Sequence, residues 1–442
     1  MTIKVVIIGG GSSYTPEIIE GFIERYHNVR ITEIVLVDIP TGKAKLETIA
    51  SLAKRMVKKS QLPIRISYTF HRREALIGAD FVTTQIRVGG LEARIKDERI
   101  PLKHGFVGQE TNGAGGIFKA FRTIPILLNI ASDMHELCPD AWLINFTNPA
   151  GIVTEAVIKH SPHKRVIGVC NIPFNMKSGI AKMFDCDVRD IEIEFVGMNH
   201  FIFGKTVWLH GENVTDEALK RLVEYNQSYS PANIVSLGWS KPFIESLKMV
   251  PNPYHQYYFQ TKEVLEKDLQ AFQDIGTRAE VVQQVEINLF ETYQDTELME
   301  KPKELEQRGG AYYSDAACNL IESIYTNKQD IQTVNTFNNG AISDLKDDDV
   351  IEVNAVITSE GPRPLTIGSL PNSIKGLITK MKNMEHLVIQ AATTGDYNQA
   401  YLALLMNPLV ANEKKAKTLL DELLEAHKDY LPQFNLKEEK IL

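Results

Sequence analysis

Up to about residue 190, short β-branched apolar runs alternate along the chain with segments whose apolar residues recur at helical spacing. Lys4 to Ile8 reads as a fully buried strand that ends in glycines. After it come Ser12, Ser13, Thr15 and Pro16, then Ile18, Ile19, Phe22 and Ile23: a capping region, a proline suited to a first helical turn, and an apolar stripe. Ile34 to Val37 predicts a second strand closed by Asp38, and Lys43 to Lys58 a helix. Pro63 to Phe70, Phe81 to Ile86, Ala141 to Phe146 and Val166 to Cys170 predict further strands; Ile124 to Leu137 and Gly151 to Lys159 predict helices. Strands alternating with helices define an α/β fold with a parallel, doubly wound sheet. Beyond that region the pattern changes. Ile191 to Val196 and Phe201 to Leu209 predict an antiparallel or mixed sheet, and Asp216 to Glu300 is mostly helical with breaks at Pro231, Pro242, Pro251 and Pro253. Val350 to Ile357 predicts a strand and Lys375 to Leu404 a helical stretch. The change places a domain boundary near residue 195, giving a dinucleotide-binding domain over 1–195 and a mixed α+β domain over 196–442, with the site between them.

Composition narrows the function classes. The chain has 442 residues, 43% hydrophobic and 24% charged, which suits two globular domains. A net charge of -8 disfavours nucleic acid, whose phosphates need a basic face, and leaves room for a small anionic substrate held by local arginines. Cys138, Cys170, Cys186 and Cys318 are scattered, with no CxxC spacing, so neither a disulfide framework nor a zinc knuckle is expected. The N-terminal apolar run is too short to span a bilayer and lacks a signal-like n-region, so a soluble cytoplasmic protein is expected.

Gly9, Gly10, Gly11, Ser12 and Ser13 follow the first strand and precede the first helix. Glycines there permit a tight turn and close approach of a pyrophosphate to a helix N-terminus. Tyr14 stands where a third glycine of GxGxxG would be. Asp38, ending the second strand, is placed to accept from a ribose 2′-OH, which favours NAD over NADP. Asn148 and Asn171 follow the ends of later strands and precede prolines by one and two residues. Cys170 and His200, from adjacent strand ends, could share a divalent metal, or could be inert core residues. Arg87, Arg94 and Arg278 are candidate anion contacts; Tyr254 lies in an aromatic segment and becomes a base only beside a cation that lowers its pKa. At this level a hydroxy-acid dehydrogenase and a non-catalytic NAD-sensing module both remain open.

The remaining motifs resemble a known family. GGGSSYTPE at 9–17, IPLKHGFVGQETNGAGG at 100–116, NFTNPAG at 145–151, CNIP at 170–173, GMNHF at 197–201 and VPNPYHQYY at 250–258 together resemble glycoside hydrolase family 4. RGGAYYSDAA at 308–317 and VNTFNNG at 334–340 extend the likeness over most of the chain. CNIP is similar to the 6-phospho-β-glucosidase branch, in which Asn follows the cysteine where 6-phospho-α-glucosidases carry Asp. The resemblance implies a malate-dehydrogenase-like NAD domain joined to a mixed α+β domain. It implies that Cys170 and His200 ligate a divalent metal, usually Mn²⁺, that Tyr254 is the catalytic base, and that Glu110 sharpens it. It further implies that Asn148, Arg94 and Arg278 contact the sugar and its 6-phosphate, with Arg87 nearby, and that Asn171 lines the catalytic centre without a proton to donate. The implied reaction takes hydride from C3 of the sugar onto NAD⁺, removes the C2 proton, eliminates the aglycone, adds water and returns the hydride, an exception to the two-carboxylate rule for glycosidases. The family also implies a sugar phosphate substrate and a homo-oligomer, a dimer or tetramer. A 6-phospho-α-glucosidase and an NAD-dependent 2-hydroxy-acid dehydrogenase are the alternatives.

Overall fold

Strands β1 (Ile3–Ile8), β2 (Ile31–Val37), β3 (Arg65–Thr69), β4 (Phe81–Thr84), β5 (Trp142–Asn145) and β6 (Val166–Gly168) form a parallel sheet in the order β3-β2-β1-β4-β5-β6. This is the strand order of dinucleotide-binding folds, with its switch point between β1 and β4. The structure is a computed structural model describing residues 3–225, 234, 236–308 and 313–434. Pro231 and positions 309–312 of the RGGAYYSDAA motif lie outside the described residues.

The second half of the chain contributes to two sheets. β7 (Ile191–Met198), β8 (Phe201–Leu209), β9 (Glu212–Asn213) and β10 (Val250–Pro251) make a separate antiparallel sheet. β11 (Ile331–Phe337), β12 (Val350–Thr358) and β13 (Gly361–Pro364) instead join the large sheet antiparallel, with β11 on the edge of β6. Asn354 on β12 ties the sheets together: its Oδ1 accepts from the Phe195 N–H at 2.7 Å and its Nδ2 donates to the Ile193 carbonyl at 3.0 Å.

Most predicted elements appear within a few residues of their expected bounds. The larger departures have local causes. The helix expected from Ile124 begins at Gly113. Its first turns carry glycines because a Cβ at Gly115 would lie 2.3 Å from the Gln109 carbonyl oxygen, and one at Gly116 equally close to that of Thr111. The polar loop therefore lies directly on the helix. This helix, Gly113–Leu137, is long and apolar enough to cross a membrane, but most of it is buried in the core and it carries Lys119 and Arg122 inward. The helical stretch expected from Lys375 to Leu404 consists of two helices, Asn372–Thr394 and Tyr397–Met406, broken at Gly395 with φ +74°.

Beside β12 lies a charge network. Lys382 pairs with Glu155 at 2.7 Å, and the His386 Nε2 lies 2.8 Å from Asp349 and 3.1 Å from Glu155. Glu155, Asp349 and His386 bring ligand-type atoms within 4.8 Å of one another. Lys382 and Lys159 already neutralise Glu155, so the cluster reads as a balanced ion network. Asp349, then Glu155, raise the His386 imidazole from 6.5 to about 9. A group whose folded pKa is raised stabilises fully below its unfolded value and loses that contribution as pH climbs through the folded one. Stability from His386 is therefore expected in full below pH 6.5 and to fade towards about pH 9. It should amount to about 2 kcal/mol after solvent screening. Denaturant midpoints of the native protein and His386→Gln should differ at low pH and converge above about pH 9; a constant gap would show that the proton is not what stabilises the cluster.

Candidate active site

The β1 turn is shaped by what its glycines leave out. Gly9 has φ +86°, and a Cβ there would sit 2.9 Å from the Gln85 carbonyl oxygen. A Cβ at Gly10 would lie 2.7 Å from that of Leu36, and one at Gly11 2.8 Å from Asp38 Oδ2. The Gly9 and Gly10 N–H groups both donate to the Val37 carbonyl at 2.9 Å. Asp38 Oδ2 accepts from the Gly11 N–H at 2.9 Å and Oδ1 from Ile39 at 2.8 Å, leaving each oxygen further acceptor capacity. Ser12 is half-buried and accepts from the Tyr14 N–H. Ser13 is fully buried: its hydroxyl donates to Glu286 at 3.1 Å and its carbonyl accepts from the Tyr293 hydroxyl at 2.8 Å. Its side chain thus docks the helix Arg278–Tyr293 rather than facing the crevice. The turn and Asp38 form a cradle that side chains would fill, at the switch point where dinucleotides bind.

The other candidates gather beyond the carboxyl ends of β4, β5 and β6. Arg87 follows β4, and Arg94 lies on the helix Gly90–Lys103, an element not expected from the pattern. Asn148 follows β5 and its Oδ1 accepts from the Ala150 N–H at 3.3 Å, opening the helix Ala150–His160. Cys170 and Asn171 follow β6, with the thiol 4.0 Å from Asn171 Oδ1. His200 does not come from a neighbouring strand of that sheet, as expected. It sits in the β7–β8 turn of the second sheet, at φ +59°, because β11 occupies the edge of β6.

Tyr254 is set by its own segment. β10 pairs Val250 and Pro251 with Gly204 and Phe203, which brings NPYH against the β7–β8 turn. Asn252 Oδ1 accepts from the Tyr254 N–H at 2.8 Å, and His255 Nδ1 accepts from the Asn252 N–H at 3.0 Å, a reciprocal cap. The Tyr254 ring stacks on His200, centroids 4.3 Å apart and planes 17° from parallel.

Electrostatics divide the site. Glu110 pairs with Arg87, with Arg94 at 3.2 Å and with Lys119 at 2.9 Å. Burial alone would raise its carboxyl, but these three cations hold it well below its usual range. Burial, and then Arg87, lower Lys119 to about 7. Arg94 also binds Glu98 at 2.8 Å; Glu98 in turn accepts from the Ala279 N–H at 2.7 Å, at the start of the helix that carries Arg278. Arg278 therefore reaches the cluster from the second half of the chain, and it feels Arg94, Tyr14, Glu98 and Glu110. On the other side, burial, then Lys119, drop His200 to about 3, so its imidazole is neutral with a lone pair to give. Burial, then Glu352, push the Cys170 thiol up, and burial, then Cys170 and Glu110, push the Tyr254 phenol up. A buried thiol and a neutral imidazole around one phenol are donors for a divalent transition-metal cation, which would also bring the phenol pKa down. A cavity of about 30 Å³ behind His200, lined by Asn112, Asn199, Tyr258 and Glu385, adjoins the site.

The motifs did not single out Lys119, Glu98, Arg308 or Glu352. Lys119 could have been found as one of two cations in the otherwise apolar GIFKAFR segment of its helix. Arg308 lies over the Tyr14 ring, 4.2 Å from its centroid.

A doubly wound sheet with a glycine cradle, joined to a cluster of cations and a Cys–His–Tyr centre, defines a protein of the dinucleotide-binding fold with a charged pocket at its crevice. The chain belongs to the family 4 glycosyl hydrolases: the Family 4 glycosyl hydrolase model matches residues 4–186, and the Family 4 glycosyl hydrolase C-terminal domain model matches 195–410. It is 55% identical, over 98% of each chain, to a Bacillus subtilis (strain 168) protein that bears 6-phospho-beta-glucosidase in its name. A solved structure of the 6-phospho-beta glucosidase from Thermotoga maritima with manganese, NAD+ and glucose-6-phosphate is similar at TM-score 0.88 and 35% identity, covering 97% of this chain and 99% of that one. Cryptosporidium parvum malate dehydrogenase, at TM-score 0.54 and 15% identity over 89% of this chain and 99% of that one, shares the fold alone.

Proposed function

We propose that this chain is a 6-phospho-β-glucosidase, dependent on NAD and a divalent metal, that cleaves phosphorylated β-glucosides such as cellobiose 6′-phosphate to glucose 6-phosphate and an aglycone. The observation that carries the reading is the convergence of Cys170, His200 and Tyr254 beside the Glu110 cation cluster, at the carboxyl edge of a sheet with a dinucleotide cradle. The names of its relatives support the same substrate class.

Gly9, Gly10, Gly11 and Asp38 would hold the dinucleotide, and Cys170 with His200 the metal, Mn²⁺. Together the two groups supply a reversible hydride acceptor and a Lewis acid, which make the proton at the sugar C2 acidic. The chain's own residues do the rest. Arg94, Arg278 and Asn148 bind the 6-phosphate and sugar hydroxyls, with Arg87 and Lys119 adding positive charge around them. Glu110 holds Arg87, Arg94 and Lys119 in one cluster and so fixes the pocket from below. Tyr254 Oη removes the C2 proton, its ring plane held by His200 and its backbone by Asn252. Asn171 is an amide and has no acidic proton for the leaving oxygen; it can only hydrogen-bond it, so water protonates the aglycone.

The test is turnover of p-nitrophenyl β-glucoside 6-phosphate with NAD⁺ and Mn²⁺, following nitrophenol and NADH together. Nitrophenol release without net NADH is expected. Net NADH from a 2-hydroxy acid, with no nitrophenol, would make the chain a dehydrogenase; turnover of the α-anomer alone would move it to the 6-phospho-α-glucosidases. Cys170→Ser and His200→Ala should each fold normally and lose Mn²⁺-dependent turnover by roughly 10²-fold or more. Wild-type rates in either variant, after chelation and return of Mn²⁺, would remove that residue from the metal site.

A further inference from the structure

β12 carries one carboxylate into the middle of the molecule. Glu352 is fully buried, and its cross-strand neighbour on β11 is Asn335, whose Nδ2 donates to Glu352 Oε1 at 3.0 Å. Asn335 in turn faces Gly168 on β6, where a Cβ would lie 2.9 Å from that of Asn335. The missing side chain at Gly168 is what lets this polar pair lie under the end of β6, two residues before Cys170. On its other side Glu352 meets the β7–β8 turn: Asn199 Nδ2 lies 3.4 and 3.5 Å from its two oxygens, and the His200 backbone N–H also points to it. Asn199 extends the link, its Oδ1 accepting from the Gly151 N–H at 3.3 Å and its side chain hydrogen-bonding the Cys170 thiol.

Cys170 and His200 thus belong to different sheets, and the group that touches the supports of both is Glu352. A buried carboxylate is costly unless its donors are built in, and here each donor comes from a segment that carries or flanks one of the two ligands. His200 also needs holding, since a residue other than glycine at φ +59° is strained. We propose that Glu352 is a positioning residue that joins the β7–β8 turn to the end of β6 and so sets the affinity of the Cys170–His200 pair for a divalent cation. This rests on the metal reading given above. Groups that orient metal ligands from outside the ligand shell commonly change affinity by roughly 10- to 100-fold when replaced.

The experiment measures Mn²⁺ and NAD⁺ dissociation constants by calorimetry on the full-length protein, with Co²⁺ absorption as a reporter of thiolate ligation. The native protein should show a thiolate-to-Co²⁺ charge-transfer band that disappears in Cys170→Ser. Glu352→Gln should remain folded, bind NAD⁺ as the native protein does, weaken Mn²⁺ binding roughly 10- to 100-fold and alter the Co²⁺ band. Glu352→Asp should recover part of that loss. If Glu352→Gln does not fold, Asn199→Ser, which cuts the link without touching β12, must weaken Mn²⁺ binding in the same direction. A Mn²⁺ constant within about twofold of native in folded Glu352→Gln, or in Asn199→Ser where only that variant folds, overturns the proposal, since a purely structural role would lower stability and leave the folded protein's affinity alone. No charge-transfer band in the native protein, or native Mn²⁺ affinity in Cys170→Ser, would instead bring down the metal reading and this proposal with it.

Discussion

Replacing Tyr254 by phenylalanine is expected to lower kcat on a 6-phospho-β-glucoside by roughly 10²- to 10⁴-fold and to stop solvent deuterium from entering C2. The change is conservative for everything but the hydroxyl. Phenylalanine keeps the stack on His200, and the Tyr254 backbone is held by Asn252 whatever the side chain. The lost group is a phenol whose surroundings push it in opposite directions. Burial, Cys170 and Glu110 raise its pKa, while Thr111 and Arg94 lower it. Left to the protein alone it stays protonated at neutral pH; positive charge on the Cys170–His200 pair is what would make it a base. Native activity is accordingly expected to climb with pH up to the shifted phenol pKa. Isotope incorporation is the decisive measurement: glucose 6-phosphate formed by the native enzyme in D2O should carry deuterium at C2, and continued incorporation in the variant would take the role of base away from Tyr254.

The largest expected effect on stability lies outside the catalytic centre. Asp97→Asn should cost about 3–5 kcal/mol, because it leaves the buried Arg122 guanidinium without its counter-ion. The two side chains are each 1% exposed and pair in a fork, with Nη1–Oδ1 at 2.9 Å and Nη2–Oδ2 at 2.6 Å. His427, from the helix Glu413–His427, lies 3.0 Å from the same carboxylate, so the pair pins three helices. Urea denaturation of the variant checks the loss, and a cost below about 1 kcal/mol would mean that water reaches Arg122. Replacing both partners by apolar residues, Asp97→Leu with Arg122→Met, should restore most of the loss, since it removes the stranded charge along with the pair.

The parts of this molecule that are legible in its sequence are those whose physics is local. Gly9 to Asp38 can be read because strand, glycine turn, helix and strand follow one another in order. The resemblance then brings in Cys170, His200 and Tyr254, which no periodicity singles out. Glu352 is hidden because it alternates with apolar Ile351 and Val353 and shares its face of β12 with Asn354 and Thr358, so in sequence it looks like one of an ordinary polar, solvent-facing row rather than a buried acid. Lys119 is hidden because its helix opens on glycines chosen for the Gln109–Thr111 loop rather than for helix formation. Ser13 shows the reverse: its place in the motif suggests a cofactor contact, while its hydroxyl is taken by a glutamate far along the chain. The pairing of β11 with β6 is non-local, and the mark it leaves, Gly168 opposite Asn335, is in sequence indistinguishable from any glycine at a strand end.

That pairing also governs the order in which the protein can be finished. A ribosome releases β6 long before Ile331–Phe337 exists to cover it. Until then the first half of the chain is a twisted sheet with an open, apolar flank, the kind of edge that recruits strands from other molecules. A fragment ending near residue 195 would keep that flank exposed permanently. The catalytic pair would be incomplete in such a fragment, and so would the sheet beneath it. Over the stretch of synthesis between the two strands, the edge of β6 is where the unfinished chain is most open to pairing with strands of other molecules.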